Sequence, residues 1–328
     1  MIDHSFPQIK SFKENFLAFF LLAILGGFAG CTKVSELPDD GFVDVIGGRV
    51  AFRVVGEGSG TPLLFIHGGP GGNCCGPLSK LNSVAEERPV VFYDQLGSGY
   101  SDRIVDLERY AIVSRFVSEV ASIRKELGLE KVHLIGHSWG AAVALEHLLT
   151  EDATGVESVI FMGPYFGTER WIEDAEYLLA QLPEEVQAAV REAEASGDFS
   201  TDAFKAANKA FAAEYGRRYP PETPNPDCTV KPPGNSGLYN YMWGPSEFLS
   251  TGTLKDYDRI DQLSKLDLPV LFLAGEYDEA RPETMREFQA MVRGSKVKVI
   301  PNAGHTIGND QPLALNQAIN EFLASVEK

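Results

Sequence analysis

The sequence predicts an α/β fold, a mostly parallel central sheet covered by helices with a helical cap inserted into it. Three observations lead there. Short apolar runs rich in β-branched residues recur from residue 42 to residue 300. Helix-forming stretches separate the middle ones, and strands alternating with helices imply a parallel sheet buried on both faces. Between about residues 164 and 254 the strand-like runs stop and helical stretches take over.

The elements follow in order. Residues 42–46 and 50–55 flank Gly47-Gly48 and read as an antiparallel hairpin at one edge of the sheet. Residues 63–66, 90–93, 132–135 and 159–162 are continuous apolar runs, as expected of strands buried on both faces. Residues 113–127 and 141–149 supply helices between them. Residues 169–182, 183–196 and 201–215 read as cap helices. The Pro-rich passage 219–233 that follows is a loop, because proline fits neither a helix interior nor a central strand. Residues 270–274 and 297–300 are the last strands. The expected division is a core over 31–163 and 255–328 with a cap over 164–254.

Residues 1–30 read as an address. Lys10 and Lys13 precede an apolar run over 16–29, which is shorter than the roughly 20 residues a spanning helix needs. A basic stretch, an apolar run and small residues describe an export signal. Ala29-Gly30-Cys31 resembles the end of a bacterial lipoprotein signal with Cys31 as the lipidated residue, although Phe28 stands where such signals usually carry Leu. An ordinary cleaved signal is the alternative. Either way the expected location is outside the cytoplasm, periplasmic or membrane-anchored, with the lipid on Cys31 as the only membrane contact.

Composition narrows the function classes. The chain has 328 residues, 44% hydrophobic and 23% charged, which is an ordinary globular make-up. With 46 Asp and Glu against 29 Lys and Arg the net charge is −17, so the basic face that nucleic acid requires is missing. The cysteines are Cys31, Cys74, Cys75 and Cys228, without the C-x-x-C spacing of a zinc or redox site. In an exported protein Cys228 pairs with Cys74 or Cys75; a Cys74–Cys75 bond is geometrically awkward.

The chemistry is carried by Gly136-His137-Ser138-Trp139-Gly140, set between a strand and a helix. Strand, G-x-S-x-G and helix make a nucleophile elbow: small residues relieve a crowded turn and the serine is pushed out above the sheet. Ser138 needs a base. Of the six histidines, His4 lies in the signal, His67, His133 and His137 precede the serine, and His147 falls in the following helix. His305, in the loop after the last strand, is the one in the Ser, acid, His order. The acid belongs after the penultimate strand, where Asp278 is the candidate and Glu276 and Glu279 compete. The turn His67-Gly68-Gly69-Pro70-Gly71 follows a strand, so its backbone N–H groups and that of Trp139 are placed to form an oxyanion hole. No Lys-Ser/Thr follows that turn, which argues against a phosphate loop, and His133 and His137 straddle a strand end rather than a helix face, which argues against a metal pair.

Taken together the motifs resemble the proline iminopeptidases and the tricorn-interacting aminopeptidase, serine exopeptidases of the α/β-hydrolase fold. They are HGGPGG at 67–72, YDQLGSGYSD at 93–102, GHSWGA at 136–141, YNYMWGPSEFLSTGTLKDYD at 239–258, GEYDEARPE at 275–283 and PNAGH at 301–305. The resemblance implies that Glu247 and Glu279 grip the free α-ammonium of a short peptide, since a buried ammonium is costly unless paired. It implies Tyr239 and Trp139 in the pocket for the N-terminal residue, proline among those accepted, and no metal or cofactor. An amino-acid amidase or a general esterase or lactonase on the same fold is the rival. Two departures stand out: Ala141 where the family commonly has a second glycine, and Cys74-Cys75 behind the oxyanion loop.

Overall fold

The structure, a computed structural model, describes residues 37–219 and 234–328. The export segment 1–30, Cys31 and Cys228 lie outside the described residues, as does the Pro-rich passage from residue 220.

The sheet has eight strands: β1 (Asp40–Val45), β2 (Gly48–Val55), β3 (Leu63–Ile66), β4 (Val90–Tyr93), β5 (Val132–His137), β6 (Val156–Met162), β7 (Val270–Gly275) and β8 (Lys296–Ile300), in the order β1-β2-β4-β3-β5-β6-β7-β8. β2 is antiparallel to both of its neighbours, and every other pairing is parallel. The hairpin expected at one edge is therefore there, turning at Gly47-Gly48. β3, β4 and β7 are buried along their whole length, whereas β8 at the edge alternates exposed and half-buried positions. That contrast is why the central strands read as unbroken apolar runs.

Side chains alternate across the sheet and feed two cores. Leu64 and Ile66 face one core, shared with Phe116 and Val120 of helix Val113–Glu126 and with Ala142 and Val143 of helix Trp139–Thr150. Leu63 and Phe65 face the other, shared with Ile319 and Phe322 of helix Pro312–Val326. Between β6 and β7 the chain leaves the sheet for helices Thr168–Leu179, Glu184–Ser196 and Asp202–Phe211, a π-turn at Ala212–Gly216 and helix Ser236–Met242. A third apolar cluster, with Leu178, Val190, Phe204 and Phe211, sits within these helices. The fold is thus an α/β sheet with a helical cap. Because β3 to β8 are parallel, the loops after β3, β5, β7 and β8 all leave from one edge of the sheet, where ligands collect in open α/β folds.

The opposite edge is closed by a polar clasp. Glu327 accepts from Arg88 at 2.5 and 3.1 Å and lies 3.1 Å from His133 Nε2, while His133 Nδ1 is 2.8 Å from Ser158 Oγ. Arg88, His133 and Ser158 are buried. The clasp joins the last helix to the starts of β4, β5 and β6. Glu327→Ala leaves a buried guanidinium and imidazole short of a partner, so it is expected to lower the unfolding free energy by about 1–3 kcal/mol, read by urea denaturation.

Candidate active site

The turn after β5 is held open by two glycines. A Cβ on Gly136 would lie 2.5 Å from the Gly140 carbonyl oxygen, and one on Gly140 would lie 2.1 Å from that of Ile66 at the end of β3. Only glycine lets the first turn of the helix Trp139–Thr150 approach the ends of β5 and β3 this closely. Between them Ser138 sits at φ 56°, ψ −123°, a conformation that costs a non-glycine residue about 1–3 kcal/mol. Its N–H donates to Met162 O at 3.0 Å and its carbonyl accepts from Ala141 at 2.9 Å, so β6 and the first helical turn hold the strained residue. Ala141 is fully buried in the core, its methyl accommodated where a second glycine is usual.

His305 reaches the same place from the loop after β8. Its Nδ1–H donates to Asp278 Oδ1 at 2.7 Å, and both residues are buried. Asp278 also accepts from Gly275 N–H at 3.1 Å and from Ala280 N–H at 2.9 Å, which fixes the carboxylate on the loop after β7. Of its two competitors, Glu276 turns away and accepts from Asn302 N–H at 2.9 Å. Glu279 turns inward, with Oε1 3.7 Å from His305 Nε2. His305 is backed by His137, whose ring lies 4.6 Å from it and whose Nε2–H donates to the His305 carbonyl at 3.0 Å. Burial and the neighbouring His305 hold His137 neutral, down to about 3.

The electrostatics of His305 are decided by carboxylates. Burial alone would depress the imidazole, but Asp278, Glu279 and Glu247 outweigh it and lift it to about 9. Burial raises Glu279 to about 8, with Glu247 and Asp278 adding to the rise against His305. Burial likewise raises Glu247 against the hydrogen bonds from Tyr239 and Trp171 and the attraction of His305. The Tyr239 hydroxyl donates to Glu247 directly.

Ser138, His305, Glu247, Glu279, Tyr239, Gly69 and Trp139 all line one cavity of about 760 Å³ beneath the cap. The sequence-predicted residues, drawn from four loops and the cap, are brought together. Gly69 has φ +125°, and a Cβ there would lie 2.6 Å from Gly72 N. Its loop is braced by residues that the sequence reading passed over. Gln95 N–H donates to His67 Nε2 at 2.9 Å, Gln95 Nε2 to His67 O at 2.7 Å, and the Trp139 indole to Gln95 Oε1 at 2.9 Å. Asp94 accepts from Cys74 N–H at 2.7 Å and from Tyr100 N–H at 2.8 Å. The YDQLGSGYSD motif carried that signal, as polar residues directly after a buried strand. Cys75 is in a disulfide whose partner lies outside the described residues, and Cys74 is free. His133 and His137 stand at the two ends of β5, each bonded elsewhere, and His147 lies 3.1 Å from Arg124.

The chain is similar to known proteins. Residues 61–311 match the family model described as the alpha/beta hydrolase fold. A proline iminopeptidase of Heyndrickxia coagulans is 39% identical over 88% of this chain and 99% of its own length. The chain belongs to the proline iminopeptidase family. Another member, from Lactobacillus delbrueckii subsp. lactis, is 32% identical over 83% of this chain and 94% of its own. Among solved structures, VinJ superposes with a TM-score of 0.80 at 27% identity, covering 89% of this chain and 100% of VinJ. The Mycobacterium smegmatis proline iminopeptidase superposes at 0.76 with 27% identity, over 88% of this chain and 98% of its own. Esterases also superpose, one from Rhodococcus sp. at a TM-score of 0.61 and 20% identity, and these share the fold alone.

Within this family frame the elbow glycines make a direct test. Gly140→Ala places a methyl against the Ile66 backbone, so it is expected to destabilise the protein by about 1–3 kcal/mol and to lower kcat/KM by more than about tenfold, read by thermal melts and prolyl p-nitroanilide assays.

Proposed function

We propose that the protein is a serine aminopeptidase that releases the N-terminal residue, proline among those accepted, from short peptides through an acyl-enzyme. The observation that carries this reading is the pairing of Glu247 and Glu279 in the same cavity as Ser138 and His305. Two carboxylates beside a nucleophile reward a cationic N-terminus and penalise a blocked one. A general esterase has no use for them.

The steps follow from the roles. The substrate ammonium sits between Glu247 and Glu279, with Tyr239 and Trp139 beside the N-terminal side chain. Ser138 Oγ attacks the first carbonyl carbon, and its proton passes to His305 Nε2. The N–H groups of Gly69 and Trp139 receive the developing oxyanion. Collapse breaks the C–N bond, and His305 returns the proton to the leaving amine. Water then adds to the acyl-enzyme as His305 takes its proton, and Ser138 Oγ leaves with that proton. Asp278 holds the imidazole tautomer throughout.

The pair also regulates the base. Asp278 first, then Glu279 and Glu247, raise the His305 imidazole to about 9 against its burial. A bound ammonium offsets the charge of Glu247 and Glu279, which lowers the imidazole pKa and frees the base only when a substrate of the right charge is present. A protonated His305 cannot act as base, so activity is lost as pH falls through its pKa.

We also propose that residues 1–30 direct export and that Cys31 carries a lipid, on the basic, apolar and small-residue pattern before it.

These outcomes are expected. Ser138→Ala lowers prolyl p-nitroanilide hydrolysis by about 10³-fold or more, and Glu247→Gln lowers it by about 10²-fold while narrowing the preference over the N-acetylated substrate. Equal cleavage of free and acetylated substrates by the wild type overturns the grip. The acidic limb of kcat/KM lies at a higher pH than that of kcat, and Glu279→Gln moves the kcat/KM limb to lower pH by removing a charge that favours imidazolium. Cys31→Ser abolishes labelling by radioactive palmitate in a bacterial host and releases the protein from the membrane fraction.

A further inference from the structure

We propose that the cavity is bipolar, and that its second pole, Lys80 with Arg217, binds the C-terminal carboxylate of the substrate. The preferred class is then di- and tripeptides with a free C-terminus. This rests on the aminopeptidase reading above.

Lys80 and Arg217 both line the cavity that holds Ser138. In a chain of net charge −17 acidic groups outnumber basic ones, and Arg218 and Arg281 are paired. Arg218, next along, pairs with Glu214 at 2.6 Å, and Arg281 lies 3.4 Å from Asp174. Lys80 and Arg217 have no ion-pair partner among the described residues.

Their positions are set by the loop that carries the base. His305 N–H donates to Tyr215 O at 2.7 Å, and Thr306 donates to Gly216 O from its N–H at 2.8 Å and from its hydroxyl at 3.0 Å. Arg217 follows that clamp immediately. From the other side, a Cβ on Gly308 would lie 3.0 Å from Lys80 Cβ, so the lysine stem packs on the same loop, and Asn316 Nδ2 donates to Lys80 O at 2.6 Å. The two cations thus flank residues 305–309. His305 protonates the leaving amine, so the leaving peptide lies along this loop. Its far end is a carboxylate if the peptide is short.

The size agrees. A cavity of about 760 Å³ is roughly 11 Å across if compact, the reach of about three extended residues at ~3.5 Å each. Carboxylates and cations that line one cavity match a zwitterion of that length, and a longer peptide brings its carboxylate past the cations.

The test compares Pro-Ala-Gly with its C-terminal amide, with prolyl p-nitroanilide as the control for the underlying reading. The wild type is expected to favour the free acid by about fivefold in kcat/KM, mostly through KM, with the ratio falling in high salt. Lys80→Gln/Arg217→Gln brings the ratio to about one. Lys80→Glu/Arg217→Glu inverts it, which a merely damaged enzyme does not do, because a ratio is independent of the active fraction. Equal rates for acid and amide in a wild type that cleaves prolyl p-nitroanilide overturn the bipolar cavity alone. A ratio that survives both double variants does the same. A wild type that cleaves none of the three overturns the aminopeptidase reading and this proposal with it.

Discussion

One buried imidazole surrounded by three carboxylates is the interaction on which the site depends. Asp278 grips His305 Nδ1 from below at 2.7 Å, while Glu279 stands 3.7 Å from Nε2 and Glu247 shares the cavity. Each carboxylate has a different duty because each has a different environment. Asp278 accepts two backbone N–H groups besides the imidazole and is committed to orientation. Glu247 is held by Tyr239 and Trp171, and Glu279 has burial pushing it up to about 8. Groups so arranged favour a cation beside them, and in the proposed reaction the α-ammonium is the cation that also brings a carbonyl to Ser138.

The rest of the molecule keeps that balance in place. Parallel strands deliver the Ser138, Asp278 and His305 loops to one edge of the sheet, and the close contact of Gly140 with the end of β3 sets the nucleophile beside the Gly69 loop. The cap contributes Glu247 and Tyr239 to the cavity, where partial burial strengthens each charge interaction. The cap is also tied to the core at the points that matter. Asn235 N–H donates to Gly71 O at 2.8 Å, and its amide donates to Gly97 O at 2.8 Å, so the segment bearing Tyr239 is anchored on the oxyanion loop. The Tyr215–His305 clamp anchors the cap to the base in the same way.

Much of this was legible along the chain because local chemistry forced it. Buried strands must be apolar throughout, so eight runs announced eight strands, with boundary differences of a few residues where β1 and β6 begin earlier at Asp40 and Val156. A sharp turn needs small residues, so Gly136 and Gly140 marked Ser138. Chain order picked out His305. The choice among Glu276, Asp278 and Glu279 was not legible, because three carboxylates within four residues differ only in where the loop aims them. The structure separates them: one bonds Asn302 outside the site, one holds the imidazole, and one enters the cavity.

What the sequence by itself determined is the set of elements and the candidates Ser138 and His305, because these follow from periodicity, steric need and order. Only the tertiary structure decided which distant groups share a space. His137 backing His305 and Gln95 bridging His67 to Trp139 are contacts between segments far apart in the chain, and Lys80 and Arg217 come to line the same cavity as Glu247 and Glu279. No local pattern encodes such contacts, because their energy depends on burial and on partners that folding alone brings near.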